Sequence, residues 1–184
     1  MIIEVKLSKK PIPYKKAMLF LNKRVEEVKN GDNKELIWVL EHPKTFTAGV
    51  SFKKNEIIDK KIKLIKTNRG GKITLHNPGQ KIIYFVINLN NRKKDIRRFI
   101  NIIETSIIEF LKILKINAKK DKKNIGIWVK EKKIAAIGLR VSRWIAFHGF
   151  SINISNNLEE YLKIVPCGLD NKKITSVLTE KKII

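Results

Sequence analysis

The chain of 184 residues contains one cysteine, Cys167, so no disulfide can form within it, and a lone thiol fits a reducing compartment. No apolar run approaches the ~18 residues that a membrane span needs. The opening residues, Met1-Ile2-Ile3-Glu4-Val5-Lys6, lack the basic stretch and long apolar core of a secretory signal. These absences predict a cytoplasmic protein with no membrane partner. Neither G-x₄-G-K-[ST] nor G-x-G-x-x-G occurs, which argues against the common nucleotide-using enzymes. His42, His76, His148 and Cys167 include no closely spaced ligand pair, so no metal is expected. Acidic residues are scarce, 17 against 40 Lys and Arg, for a net charge of +23. Such a field attracts acidic partners. However, the lysines are spread along the whole chain, and blocks such as Lys119-Lys120-Asp121-Lys122-Lys123 lack the interleaved aromatics or arginines of nucleic-acid readers. No nucleic-acid partner is expected.

What is present specifies a globular core: 43% hydrophobic and 31% charged residues in a length that suits one domain over residues 1–184. Helical periodicity spans Tyr14 to Lys29, stopped by Asn30-Gly31, and again runs from an Asp95 cap through Ile96, Ile100, Ile103, Ile107, Phe110, Leu111 and Leu114. Strand patterns occupy Ile2–Leu7, Leu36–Leu40, Ile62–Thr67, Ile73–His76, Lys81–Leu89, Gly126–Val129, Lys133–Leu139 and Trp144–Ile154. Thr45 to Asn55 reads as loop, and Leu158 to Leu162 as a short helix. The fold class is α/β (α+β): a single domain with a mixed, largely antiparallel sheet packed against two main helices.

Chemistry can reside at Cys167, set between Pro166 and Gly168 in a turn that allows close approach. A nucleophilic thiol needs its pKa lowered from ~8.5 toward ~7, which takes a nearby cation, base or helix N-terminus. Composition does not choose that assistant among three histidines and many lysines. Lys133 is distinctive because it opens an uncharged strand, Ile134 to Leu139, although a strand-end lysine in water is the commoner arrangement. Arg69-Gly70-Gly71 could offer backbone N–H groups and a guanidinium to an anion or carbonyl.

Six blocks in order carry a resemblance: Glu41-His42-Pro43 with Phe46-Thr47-Ala48-Gly49; Arg69 through Gln80; Gly126-Ile127-Trp128-Val129; Lys133 through Arg140; Phe147 through Asn153; and Pro166-Cys167-Gly168. The series resembles the lipoyl (octanoyl) transferases, which share a fold with lipoate and biotin protein ligases. The resemblance implies transfer of an octanoyl group from octanoyl-acyl carrier protein, through a cysteine thioester, to a lysine of lipoyl domains, the first step of endogenous protein lipoylation. It makes Cys167 the nucleophile and Lys133 the residue lowering its pKa. The segments Arg69, Gly70, Gly71, Lys72, Ile73, Thr74, Leu75, His76, then Ala136, Ile137, Gly138, then Gly149, Phe150, Ser151 correspond to the substrate pocket. It further implies no cofactor, neither ATP nor metal, and a monomer. The implied acceptors are lipoyl domains of the E2 subunits of 2-oxoacid dehydrogenases and the glycine cleavage H protein. Backbone N–H groups around Gly138 and Gly168, read as turns, are candidates for an oxyanion site. Leu75 stands where the family usually has tyrosine, and Asn77 where it often has glycine. The alternatives are an ATP-dependent lipoate or biotin ligase on the same fold and, more remotely, a basic nucleic-acid-binding domain.

Overall fold

A computed structural model describes residues 2–121, 124–166 and 174–181. Cys167 and Gly168 therefore lie outside the described residues. Helix α1 (Tyr14–Asn30) follows the proline-broken segment at Pro11 and Pro13 and stops at Gly31, whose φ of 84° is left-handed. Glycine meets that conformation without the Cβ penalty of other residues. Helix α2 (Ile96–Ile113) starts at Asp95, whose carboxylate accepts the Arg98 backbone N–H. Its buried face is Ile103, Ile107 and Leu111, while Phe110 is 40% exposed. The apolar stripe is thus narrower than its sequence spacing implies.

Among the described residues, ten strands form two sheets. The larger uses β1 (Ile3–Leu7), β2 (Glu35–Leu40), β6 (Gln80–Asn88), β7 (Lys119–Lys120), β8 (Ile127–Val129), β9 (Lys132–Ser142) and β10 (Ile145–Asn153), in the order β1-β2-β6-β10-β9-β8-β7. Only β1–β2 is parallel there. The smaller uses β3 (Thr45–Ala48), β4 (Leu64–Lys66) and β5 (Ile73–His76), ordered β4-β3-β5. The mixed, largely antiparallel sheet packed against two main helices is as expected, with a second, three-stranded sheet beside it. Thr45–Ala48 is a strand instead of loop, which corrects that expectation. Four residues are too few to show a period. They become a strand because β5 supplies an antiparallel partner about thirty positions downstream, with Thr47 opposite Thr74.

The large sheet is covered on both faces. Along β6, Tyr84 and Val86 face α1 with Leu21, Trp38 and Phe147, whereas Phe85 and Ile87 face α2 with Ile107, Leu111 and Ile152. Burial on both faces explains why Lys81–Leu89 reads as a nearly continuous apolar run. Strands β9 and β10 join through Arg143 and Trp144, both at positive φ, the tight hairpin geometry whose twist matches its strands. A third cluster, Phe46, Ile73, Leu75, Tyr161 and Ile164, lies beneath the small sheet. Helix α3 (Val177–Lys181) is docked by a hydrogen bond from the Leu178 N–H to the Ile154 carbonyl, 2.8 Å. Among the described residues, no helix is long and apolar enough to cross a membrane.

Candidate active site

Strand alternation on β9 and β10 leaves a hollow. Their register sets Ala136 opposite Ser151 and Gly138 opposite Gly149, so four of the smallest side chains meet on one face. Their larger neighbours Ile137 and Phe150 pack toward α2 on the other. At Gly149 the smallness is obligatory, since a Cβ would lie 1.9 Å from the Ile83 carbonyl oxygen. Gly138 sits in mid-strand and not at a turn, which corrects that expectation.

Above this floor is a cleft open to solvent. Its wall from the β4–β5 connection and β5 is Arg69, Gly70, Gly71, Lys72, Thr74 and His76. Its floor is Ala136, Gly138, Gly149 and Ser151, bordered by Ile137 and Phe150, which lie between them on the same strands, and Tyr14, Ile82, Tyr84 and His148 close the rest. Segments separated by some eighty positions are brought together. Ile73 and Leu75 are not among them. Both are fully buried with Phe46 and Tyr161, because period-two alternation turns every second residue of β5 away from the cleft. They support the wall instead of lining it, and leucine at position 75 alters the core beneath. Asn77 is buried and ties the turn before β6 to residues 156 and 157, donating to the Asn157 carbonyl at 2.8 Å and accepting from Asn156 Nδ2 at 3.1 Å.

Arg69 braces the wall. Its Nη1 donates to the Gly70 carbonyl at 3.0 Å, and Nη2 to the Thr47 carbonyl and hydroxyl and the Lys72 carbonyl at 2.9–3.0 Å. These donors face the protein's own acceptors, so the guanidinium holds the Gly70-Gly71 turn against β3. The turn packs so closely that a Cβ at Gly49 would come 2.3 Å from the Gly71 carbonyl oxygen.

At the Ser151 end, the cleft adjoins a small cavity that shares Thr74, Ala136 and Ser151 with it and is also lined by Lys133, Asn153, Tyr161, Pro166 and Ile174. Lys133 is 5% exposed, so it is not a solvated strand-end lysine. Its ammonium donates to the Ile125 carbonyl at 2.9 Å and lies 5.0 Å from the Trp128 ring centroid. Its own carbonyl accepts the Thr175 N–H at 3.0 Å. Pro166 and Ile174, the described residues flanking 167–173, thus both border the cavity that holds the Lys133 side chain.

The three histidines are buried and uncharged at neutral pH. Burial pushes His76 down to about 3, with His42 and Arg69 adding to the effect against the Gln80 hydrogen bond. Burial, then Arg69 and Arg140, bring His148 down to about 4, and burial lowers His42 as well. His76 Nδ1 donates to Gln80 Oε1 at 2.7 Å, Gln80 Nε2 to Asn153 Oδ1 at 2.9 Å, and Asn153 Nδ2 to the Thr175 carbonyl at 3.0 Å. This polar chain joins the cleft wall to the C-terminal segment. Because the folded pKa values lie below the unfolded value of about 6.5, the histidine contribution to stability is complete above that pH. It is lost as acid protonates the unfolded chain, down to about pH 4 for His148 and 3 for His76. Thermal unfolding from pH 7 to 4 is expected to show the midpoint falling by several degrees; a flat profile would contradict neutral burial.

His148 breaks the alternation of its strand. It pairs with Phe85, a residue of the α2 face, yet its ring stacks on Phe147 at 5.1 Å and lies 6.4 Å from Tyr84, both on the α1 face. The cause is its φ of 68°, a left-handed conformation inside β10 that redirects the side chain into the cleft. For a residue other than glycine this costs on the order of 1–3 kcal/mol. Nε2 is hydrogen-bonded to Asn68 Oδ1 at 2.8 Å, and Nδ1 is buried without a hydrogen-bond partner among the described residues. Of the remaining lining residues, Tyr14, Ile82 and Tyr84 carry no sequence signal, because an aromatic or aliphatic residue at a helix start or in a strand reads as core.

A family model described as the lipoyl protein ligase A/B catalytic domain matches residues 13–182. Curated relatives include the octanoyltransferases of Ehrlichia chaffeensis, 42% identical over 182 residues, covering 96% of this chain and 85% of that protein. That of the Wolbachia of Brugia malayi is 39% identical, covering 96% and 88%, and that of Bartonella tribocorum is 40% identical, covering 96% and 78%. Among solved structures, protein Ta0514 of T. acidophilum with bound lipoic acid superposes with a TM-score of 0.78 at 16% identity, covering 97% of this chain and 77% of that one. Lipoate-protein ligase A bound with ATP gives 0.73 at 16% identity, covering 95% and 76%. At such identities these structures show a shared fold alone. Family model and relatives agree across nearly the whole length, and the chain belongs to the lipoyl protein ligase A/B catalytic-domain family and, within it, to the octanoyltransferases.

Proposed function

We propose that the protein moves an octanoyl group from the thioester of an acyl carrier protein onto Cys167, and from there to the ε-amine of a lysine on a lipoyl domain. The observation that carries this reading is the buried Lys133 ammonium in a cavity bordered by Pro166 and Ile174 and continuous with the small-residue trough. In the first step the Cys167 thiolate attacks the thioester carbonyl, the carrier sulfur departs, and the Lys133 ammonium supplies the proton that makes it a thiol. In the second, the substrate amine attacks the acyl-cysteine. The C–S bond breaks, and neutral Lys133 takes the amine's excess proton, restoring ammonium beside thiolate. Exchange between two thioesters is nearly isoenergetic and amide formation from a thioester runs downhill, so no ATP enters the balance. The acidic surfaces expected of carrier and lipoyl domains complement a chain of net charge +23, which raises the rate of encounter.

The test is direct. Wild-type protein incubated with octanoyl-acyl carrier protein is expected to gain one octanoyl mass on the peptide containing Cys167, and to pass it to a lipoyl domain without ATP. Cys167→Ala is expected to show neither event. Transfer by that variant at the wild-type rate, or a requirement for ATP with pyrophosphate release, would assign the chemistry to a ligase mechanism.

A further inference from the structure

We infer that His148, with Tyr14 beside it, is the end stop that limits the length of the acyl chain the cleft accepts. This rests on the reading of the cleft as the acyl site and adds what bounds it. Three hollows lie in a row. The Lys133 cavity meets the cleft across Thr74, Ala136 and Ser151, and the cleft's other end meets a more open groove. That groove runs past Met18, Leu19 and Ile65, with Lys15 and Lys66 at its rim. Tyr14 and His148 are the residues common to cleft and groove, so their rings form the partition between them. Both are nearly inaccessible, at 4% and 3% exposure.

The distances suit this role. Ser151 and His148 stand three positions apart on β10, which at about 3.3 Å per strand residue is about 10 Å. An extended eight-carbon chain, with seven C–C bonds of about 1.5 Å in a zigzag, reaches about 9 Å from carbonyl to methyl. A chain whose thioester sits at the Ser151 end thus meets the His148 ring with its last carbon. Tyr84 beside that ring adds a largely apolar contact, and the alkyl chain makes no demand on the unpaired Nδ1. The left-handed backbone at His148 is what places the ring there: had β10 kept its alternation, position 148 would face Phe85 and α2, and Tyr14 alone would stand between cleft and groove.

The experiment compares kcat/KM for hexanoyl, octanoyl, decanoyl and dodecanoyl carrier thioesters. Wild type is expected to fall off beyond eight carbons. His148→Gly removes the ring and keeps the backbone, since glycine adopts positive φ freely. Its dodecanoyl-to-octanoyl ratio is expected to rise about tenfold or more as extra methylenes enter the groove. His148→Asn, which also tolerates this conformation, is expected to give a smaller rise in the same direction. If neither variant folds, octanoate added to wild type should shift the His148 ring resonances in NMR spectra, and hexanoate should leave them in place. An unchanged length profile in a folded variant, or ring resonances indifferent to chain length, overturns the end stop. Absence of octanoyl transfer by wild type would instead overturn the acyltransferase reading itself.

Discussion

Replacing Lys133 with alanine is expected to reduce octanoyl transfer by about 10²- to 10⁴-fold, the range that a positioned proton-transfer group supplies. Two roles vanish together in this variant. On the proposed mechanism, the thiol loses the cation that favours its ionised form, and the acceptor amine loses the base that takes its proton. Alkylation of Cys167 by iodoacetamide near pH 7 should slow in parallel, and it reads the first role without any acyl donor. The fold should survive. The ammonium satisfies one carbonyl, that of Ile125, so its loss leaves a single acceptor unpaired at a cost of about 1–3 kcal/mol. The backbone link from Thr175 to the Lys133 carbonyl does not involve the side chain. Lys133→Met keeps most of the buried stem without the charge. It is expected to match the alanine variant in activity and exceed it in melting temperature. Alkylation at the wild-type rate in both variants would remove Lys133 from the mechanism.

Arg69→Ala is expected to be the most destabilising change in the cleft wall. Four hydrogen bonds from one guanidinium hold Thr47, Gly70 and Lys72 together, and truncation strands those acceptors in a buried place. A loss of about 3 kcal/mol follows from unsatisfied buried acceptors, equivalent to about 6–12 °C in melting temperature for a chain of this size. Lysine should not restore it, because a point ammonium cannot reproduce a planar fork that reaches several carbonyls at once. The two substitutions separate by readout: Lys133→Ala is to lose activity with modest loss of stability, and Arg69→Ala to lose stability and, with the wall loosened, raise KM for the acyl donor. Wild-type stability in Arg69→Ala would mean that the turn is held by its backbone alone.

How much of this was legible in the sequence depended on the range of the interaction that decides each feature. Helix α1 with its glycine stop and α2 with its aspartate cap were readable because their signals are local. So were the alternating strands β5, β9 and β10. Strand β3 was not, since four residues gain strand character only from β5. The division into two sheets likewise depends on pairing, not on pattern. At the site, the family blocks gathered Arg69–His76, Ala136–Gly138 and Gly149–Ser151, and the β9–β10 register explains why the last two meet. A run of eight consecutive residues, 69–76, carries no mark of which face each one takes; the strand at Ile73–His76 alternates, so Ile73 and Leu75 point to the core while Thr74 and His76 line the cleft. The direction of His148 was beyond reach, because nothing in Phe147-His148-Gly149 announces a left-handed φ in the middle of a strand. Cys167 lies outside the described residues, between Pro166 and Ile174, which both border the cavity that holds the Lys133 side chain.

The docking of Thr175 on Lys133 and of Leu178 on Ile154 has a consequence for biosynthesis. Strands β9 and β10 can pair soon after they leave the ribosome, as neighbours joined by a two-residue hairpin. The wall that Ile174 adds beside Lys133 cannot be laid down until residues 174–178 have also emerged. A nascent chain from which residues 174–178 have not yet emerged would therefore hold its sheet and its trough, yet have an incomplete chamber around the ammonium.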